Sequence, residues 1–124
     1  MTTFMIPLPW PKPPLSANQR HGHWAVEAKL KKEVRTVGNL LARSHKVGEH
    51  ERIVVRVVYQ PRDRRRRDPS NLMPSQKALV DGLVDAGVVP DDCPPYVEEW
   101  MPKLLVPVKG EPGQMWLEVR TGSQ

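Results

Sequence analysis

Residues 52–60, RIVVRVVYQ, decide how this chain is built. Ile53, Val54, Val55, Val57 and Val58 are β-branched and the apolar character is nearly continuous, which predicts a central strand buried on both faces. Upstream, Trp24–Ser44 carries Leu30, Val34, Val37 and Leu41 at i, i+4, i+7 and i+11, one apolar stripe of a helix. Lys29, Lys31, Lys32, Arg35 and Arg43 give its other faces basic charge, and Gly38 interrupts the pattern. Downstream, residues 61–70 form a highly charged loop. Leu72–Ala86 then reads as a second helix with Leu72, Leu79, Val80 and Leu83 facing a core. Pro74 is tolerable only in its first turn, and Gly87 suits its C-terminal cap.

Further out, Thr3–Trp10 reads as a first strand whose Pro7 and Pro9 suit a sheet edge. Pro11, Pro13 and Pro14 break the chain into a loop reaching residue 23. Tyr96–Val106 and Gln114–Val119 read as two closing strands separated by a turn at Lys109–Gly113. The order β-α-β-α-β-β predicts one α+β domain over residues 1–124, a mixed β-sheet packed with two helices.

Composition narrows the class. The chain has 124 residues, 39% hydrophobic and 27% charged, as expected of one globular domain rather than a disordered segment. No apolar run approaches the roughly 18–20 residues that span a bilayer, and the N-terminus lacks the pattern of a signal peptide. Cys93 is the only cysteine, which excludes an internal disulfide and a cysteine-rich zinc site. These features together predict a soluble, cytoplasmic protein with no membrane partner. The net charge of +5 hides an asymmetry: residues 1–67 balance at +10 and residues 68–124 at −5, with the sign changing between Arg67 and Asp68. Such a division points to a polyanionic partner for the basic half.

The chemistry-bearing window is Arg62–Asp92, RDRRRRDPSNLMPSQKALVDGLVDAGVVPDD. Arg62, Arg64, Arg65, Arg66 and Arg67 precede Asp68. Lys77 and Asp81, four apart, share a helix face. Asp91 and Asp92 follow the helix. Phosphodiester cleavage needs charge stabilisation at phosphorus and an activated water, and a hard divalent cation held by carboxylates supplies both. Arginines beside the acids hold the backbone that the acids would repel. Each residue also has a plainer role. Asp68-Pro69 can open a turn, Ser70 or Asn71 can cap a helix, Lys77–Asp81 can be a surface pair, and Asp91-Asp92 a solvated turn. Their concentration in one window favours the functional reading.

The sequence resembles the RusA-like Holliday junction resolvases over nearly its whole length. The resemblance starts with LPWPKPPLSAN, ending at Asn18, and continues through the arginine run, Asp68, Asn71-Leu72, a lysine and VDGLVDAGVVPDD. The family pattern is D-x-D-N, a lysine, D-x-L, a glycine, a short apolar stretch and D-D. This resemblance implies a magnesium-dependent endodeoxyribonuclease, with manganese able to substitute, that acts as a homodimer on four-way DNA junctions and takes no small-molecule substrate. It implies Asp68 as the first metal-binding aspartate, Asp92 with Asp91 completing the metal site, Asp81 lining it and Lys77 as the catalytic lysine. Arg62, Arg64, Arg65, Arg66 and Arg67, with Asn18 and Arg20, become the DNA contacts. Ser70 stands where the family has its second aspartate, and a serine hydroxyl is a weaker ligand for a hard cation. LMPSQ, between Asn71 and Lys77, is about three residues longer than the family spacing. Two rivals follow: a non-catalytic branched-DNA-binding protein with a degenerate metal site, and an RNA-binding accessory protein.

Two further features carry less. His21 and His23 form H-G-H, a poor zinc set with so few partners. Trp10, Trp24, Trp100 and Trp116 suit a core or a dimer interface better than base stacking.

Overall fold

A computed structural model describes residues 2–17 and 24–122. The chain folds as a single α+β layer structure, a five-stranded mixed sheet with two helices. Strand β1 (Thr2–Pro7) is followed by helix α1 (Trp24–Ser44) and strand β2 (Ile53–Gln60). A 3-10 turn (Pro69–Leu72) leads directly into helix α2 (Met73–Asp85). Strands β3 (Val97–Glu99), β4 (Lys103–Leu104) and β5 (Gln114–Thr121) close the fold.

The sheet runs β1-β5-β2-β3, with β4 also on β2. β5 is antiparallel to β1 and β2, whereas β3 and β4 are parallel to β2. β1 lies at the edge, where Pro7 costs the ladder nothing because an edge strand has an unpaired side. The expected strand Tyr96–Val106 is two short pieces, because the chain leaves the sheet between Glu99 and Lys103. β2 is central as expected, but only one face is fully covered. Ile53, Val55, Val57 and Tyr59 are buried in the helix-side core, while on the other face Val58 is buried and Val54, Arg56 and Gln60 are half-buried. That second face is closed by charge. Glu118 accepts from Arg56 Nε at 3.1 Å and Arg120 Nε at 2.6 Å, and both guanidinium groups lie over the Trp100 ring. Burial pushes the Glu118 carboxyl up, but its two arginine partners outweigh burial and hold it below the ordinary range.

The core joins Val34 and Ala42 of α1, Leu79, Val80 and Leu83 of α2, and Val55, Leu117 and Val119 of the sheet. Burying each large side chain is worth about 1.5–3 kcal/mol. The expected stripe on α1 is present with its centre shifted: Val34, Gly38 and Ala42 are buried, Leu30, Val37 and Leu41 partly so. Gly38 sits there because α1 and α2 cross glycine to glycine. A Cβ on Gly38 would come 2.8 Å from the Leu79 carbonyl oxygen. The end of α2 follows its sequence. Gly87 adopts φ 79°, and Gly87 N and Val88 N donate to the Val84 and Leu83 carbonyls. Of the tryptophans, Trp10 packs on the core, while Trp24 is 77% exposed at the start of α1.

Candidate functional site

The parallel β2-α2-β3 unit brings the chain after α2 back alongside the helix. Lys77, in the second turn of α2, donates to Asp92 Oδ2 at 2.9 Å. Asp81, one turn further, interacts with the same Asp92 carboxylate. Asp92 N in turn donates to Asp91 Oδ1 at 2.7 Å. Thus Lys77, Asp81, Asp91 and Asp92, each anticipated from the sequence, form one connected group.

Their protonation differs in an ordered way. The hydrogen bond to Asp92 raises Lys77, so the amine stays an ammonium and is a donor rather than a base. Lys77 in return holds the Asp92 carboxyl below its usual range. Burial pushes Asp81 up, and the bond to Asp92 adds to it, against the lowering influence of Lys77. Of the two bonded carboxyls, Asp81 is thus the one raised and Asp92 the one lowered.

A groove of about 770 Å³ runs between α1 and α2 beside this group. Lys31, Lys32 and Arg35 line it from α1, and Lys77, Asp81 and Asp85 from α2. Arg35 is committed to Asp85 through a bidentate pair at 2.6 and 2.7 Å. Lys32 makes no ion pair among the described residues, and Lys31 makes only a 3.6 Å pair with Glu27 across one helical turn. The groove thus sets an unpaired Lys32 and a loosely paired Lys31 opposite the acids.

Asp68 takes a different place. It caps the 3-10 turn, its Oδ1 accepting from Ser70 N and Ser70 Oγ, both at 2.9 Å. Those bonds hold its carboxyl below the ordinary range. It lines a second cavity, with Lys12 and Arg66, and is not among the ligand atoms that lie within 4.8 Å of one another. Among the described residues that grouping is Asp91, Asp92 and Cys93. An exposed Asp91 and a half-buried Asp92 suit a hard divalent cation, which needs only one or two carboxylates and keeps its waters; the soft Cys93 thiol adds nothing for such an ion.

The arginine run divides. Arg62, Arg64, Arg65 and Arg66 are exposed. Arg67 is turned inward, donating to Asp63 Oδ1 at 2.8 Å and lying over the Tyr59 ring. Asp63 is held low by Arg67 and by the Arg65 backbone amide, so its carboxylate is already engaged. Asn18 and Arg20 lie outside the described residues, as do His21 and His23.

Two residues beside the site carry no sequence signal. Gln76 is fully buried; it accepts from Val57 N at 2.8 Å and donates to Trp100 O at 2.9 Å and Glu99 Oε1 at 3.2 Å. Glu99 is thereby held close enough to Lys77 to raise its pKa. Only the pairing of β3 with β2 places Glu99 there.

The raised Asp81 has a consequence for stability. A carboxyl whose folded pKa lies above its unfolded value stabilises the fold below that unfolded value, and this contribution is lost as pH rises through the folded pKa. Ionised Asp81 therefore costs stability at neutral pH. Asp81→Asn is expected to raise the thermal midpoint at pH 7 and to lose that advantage by about pH 3. A midpoint lowered at pH 7 would mean that Lys77 and Arg35 make the ionised form favourable.

Comparison with protein-family models and with curated proteins finds no match to this chain. No helix among the described residues is long and apolar enough to cross a membrane.

Proposed function

We propose that the protein is a divalent-cation-dependent endonuclease of branched DNA, of the kind that the RusA-like resemblance implies, resolving four-way junctions as a homodimer. The observation that carries this reading is the meeting of Lys77, Asp81 and Asp92 at a groove whose opposite wall is lysine-rich. Lys31 and Lys32 attract the phosphodiester backbone, and Arg62, Arg64, Arg65 and Arg66 extend the cationic surface. Asp91 and Asp92 would hold a magnesium or manganese ion, and Asp81 interacts with the Asp92 carboxylate beside them. When bound, the ion supplies an activated water and charge neutralisation at the phosphate.

The chain's own residues divide the remaining work. Lys77, kept protonated by Asp92, donates to an oxygen that gains charge as the phosphodiester opens. Asp81, raised by burial yet ionised at neutral pH, is the carboxylate suited to take up the proton of the attacking water. Each chain carries one such group, so paired nicks across a junction require two copies.

Asp92→Asn is expected to lower metal-dependent nicking of a labelled four-way junction by about 100-fold or more. Junction binding on a native gel is expected to persist. Equal loss of both would remove the assigned division between cleavage and binding.

A second reading is favoured by one observation: Asp68 and Ser70 bond to each other rather than joining Asp92. In that reading the protein binds branched DNA without cutting it. It predicts a shifted junction with no product in magnesium, manganese or EDTA.

A further inference from the structure

The proline-rich turn after β1 is fastened to the start of α2. Ser75, fully buried, donates through Oγ to Leu15 O at 2.5 Å and accepts from Leu15 N at 3.0 Å. Ala17 N donates to Asn71 O at 3.0 Å. These bonds seat Lys12 and Pro13 opposite Arg65–Asn71 and enclose a cavity of about 690 Å³, distinct from the groove between the helices.

Its lining is suited to one kind of ligand. Lys12 makes no hydrogen bond or ion pair among the described residues, and Arg66 faces Asp68 only through space. Arg65 adds a third cation, loosely paired with Asp63 at 3.5 Å. Asp68 is the carboxylate in the cavity, so an anion is favoured at the Lys12–Arg66 side and disfavoured next to Asp68. Asn71 is half-buried in the wall; its backbone is fixed through Asp68 O and Ala17 N, and its side-chain amide has no partner among the described residues. A free amide offers a donor and an acceptor side by side, the pattern that pairs with the edge of a nucleobase. Pro13, Pro69 and Leu72 supply apolar wall. The volume lies in the roughly 300–1,000 Å³ range of pockets that engulf a small ligand, whereas a paired duplex presents its backbone as a convex rail.

We propose that this cavity is a pocket for a single unpaired nucleotide of a DNA strand, with Lys12 and Arg66 on its phosphate and the Asn71 amide on its base edge. The proposal rests on the DNA-binding reading above and deepens it by adding a site for a base that has left its partner. Because Ser75 and Asn71 hold the walls before any ligand arrives, little ordering is needed on binding.

The test uses the full chain and a forked DNA with 2-aminopurine at an unpaired position adjoining the fork. A distant dye reports binding by anisotropy. At saturating protein the 2-aminopurine fluorescence is expected to rise as the base leaves its stacked neighbours, and the rise is expected to be lost in Asn71→Ala and reduced in Lys12→Ala. Lys12 is exposed, so that variant remains informative if Asn71→Ala fails to fold. Saturated anisotropy with no fluorescence change would overturn the pocket while leaving DNA binding intact. Absence of any anisotropy change would overturn the DNA-binding reading and the pocket with it. Free 2-aminopurine riboside monophosphate forms a separate arm: its binding without a response from the fork would reassign the cavity to a mononucleotide and overturn the proposal.

Discussion

Gln76→Leu is expected to lower the free energy of unfolding by about 3–5 kcal/mol, a large share of the roughly 5–15 kcal/mol typical of such domains. The leucine fills nearly the same volume, so no cavity is created and the loss is one of hydrogen bonds. β2 pairs with β3 over Ile53–Val55 and with β4 over Val58–Tyr59. Between them Val57 N has no strand partner, and Gln76 Oε1 supplies one at 2.8 Å. The same side chain satisfies Trp100 O at 2.9 Å and fixes Glu99. Leucine would leave a buried amide and a carbonyl unpaired, each costing about 1–3 kcal/mol, and would free Glu99. Urea unfolding should show a lower midpoint at unchanged slope. A loss under about 1 kcal/mol would mean that water or a shift of the strand replaces the glutamine.

Gly82→Ala is the second large effect, and its sign runs against helix propensity. In an open helix interior the change from glycine to alanine gains about 1 kcal/mol. Here an added Cβ would overlap the Arg35 carbonyl oxygen and lie 2.7 Å from Asn39 N and 2.9 Å from the Gly38 Cα. All three are backbone atoms of α1, so no side chain can rotate aside, and the helices must separate. Overpacking of this kind costs about 1–3 kcal/mol and more where backbone must move. The net expectation is a loss of about 2 kcal/mol or more. Separation would also widen the groove that sets Lys31 and Lys32 against Lys77 and Asp81. A raised thermal midpoint would show that α1 and α2 do not cross as tightly as these distances require.

The two substitutions act on the same framework from different sides. Gln76 ties α2 to the sheet, and Gly82 sets how closely α1 approaches α2. Between them they position Lys77, which lies one residue after Gln76 and one turn before Asp81. The candidate site therefore depends on two buried features that carry no charge.

Much of this arrangement is legible in the sequence, because it depends on local rules. The periodicity of Trp24–Ser44, the β-branched run at residues 53–58, Pro74 in a first turn and Gly87 at a helix end each act over a few residues. Lys77 and Asp81 share a face because four residues make about one helical turn. The charge division at Arg67–Asp68 is a property of composition alone.

What only the tertiary structure decides is which of the charged residues meet. Spacing in the chain places Asp68 and Asp92 at opposite ends of α2 and cannot say which returns to Lys77. The parallel return of the chain to β3 brings Asp92 to Lys77, while Asp68 is spent on capping Ser70 and faces another cavity. Arg67 turns inward to Asp63 and Tyr59, although in sequence it cannot be told from its exposed neighbours. Gln76 and Glu99 gain their roles only where β3 and β4 break apart against β2. The physical reason is range. Helix and strand propensities are settled by neighbours a few residues away, whereas an ion pair or a buried amide is settled by whichever group long-range packing delivers to within about 3 Å.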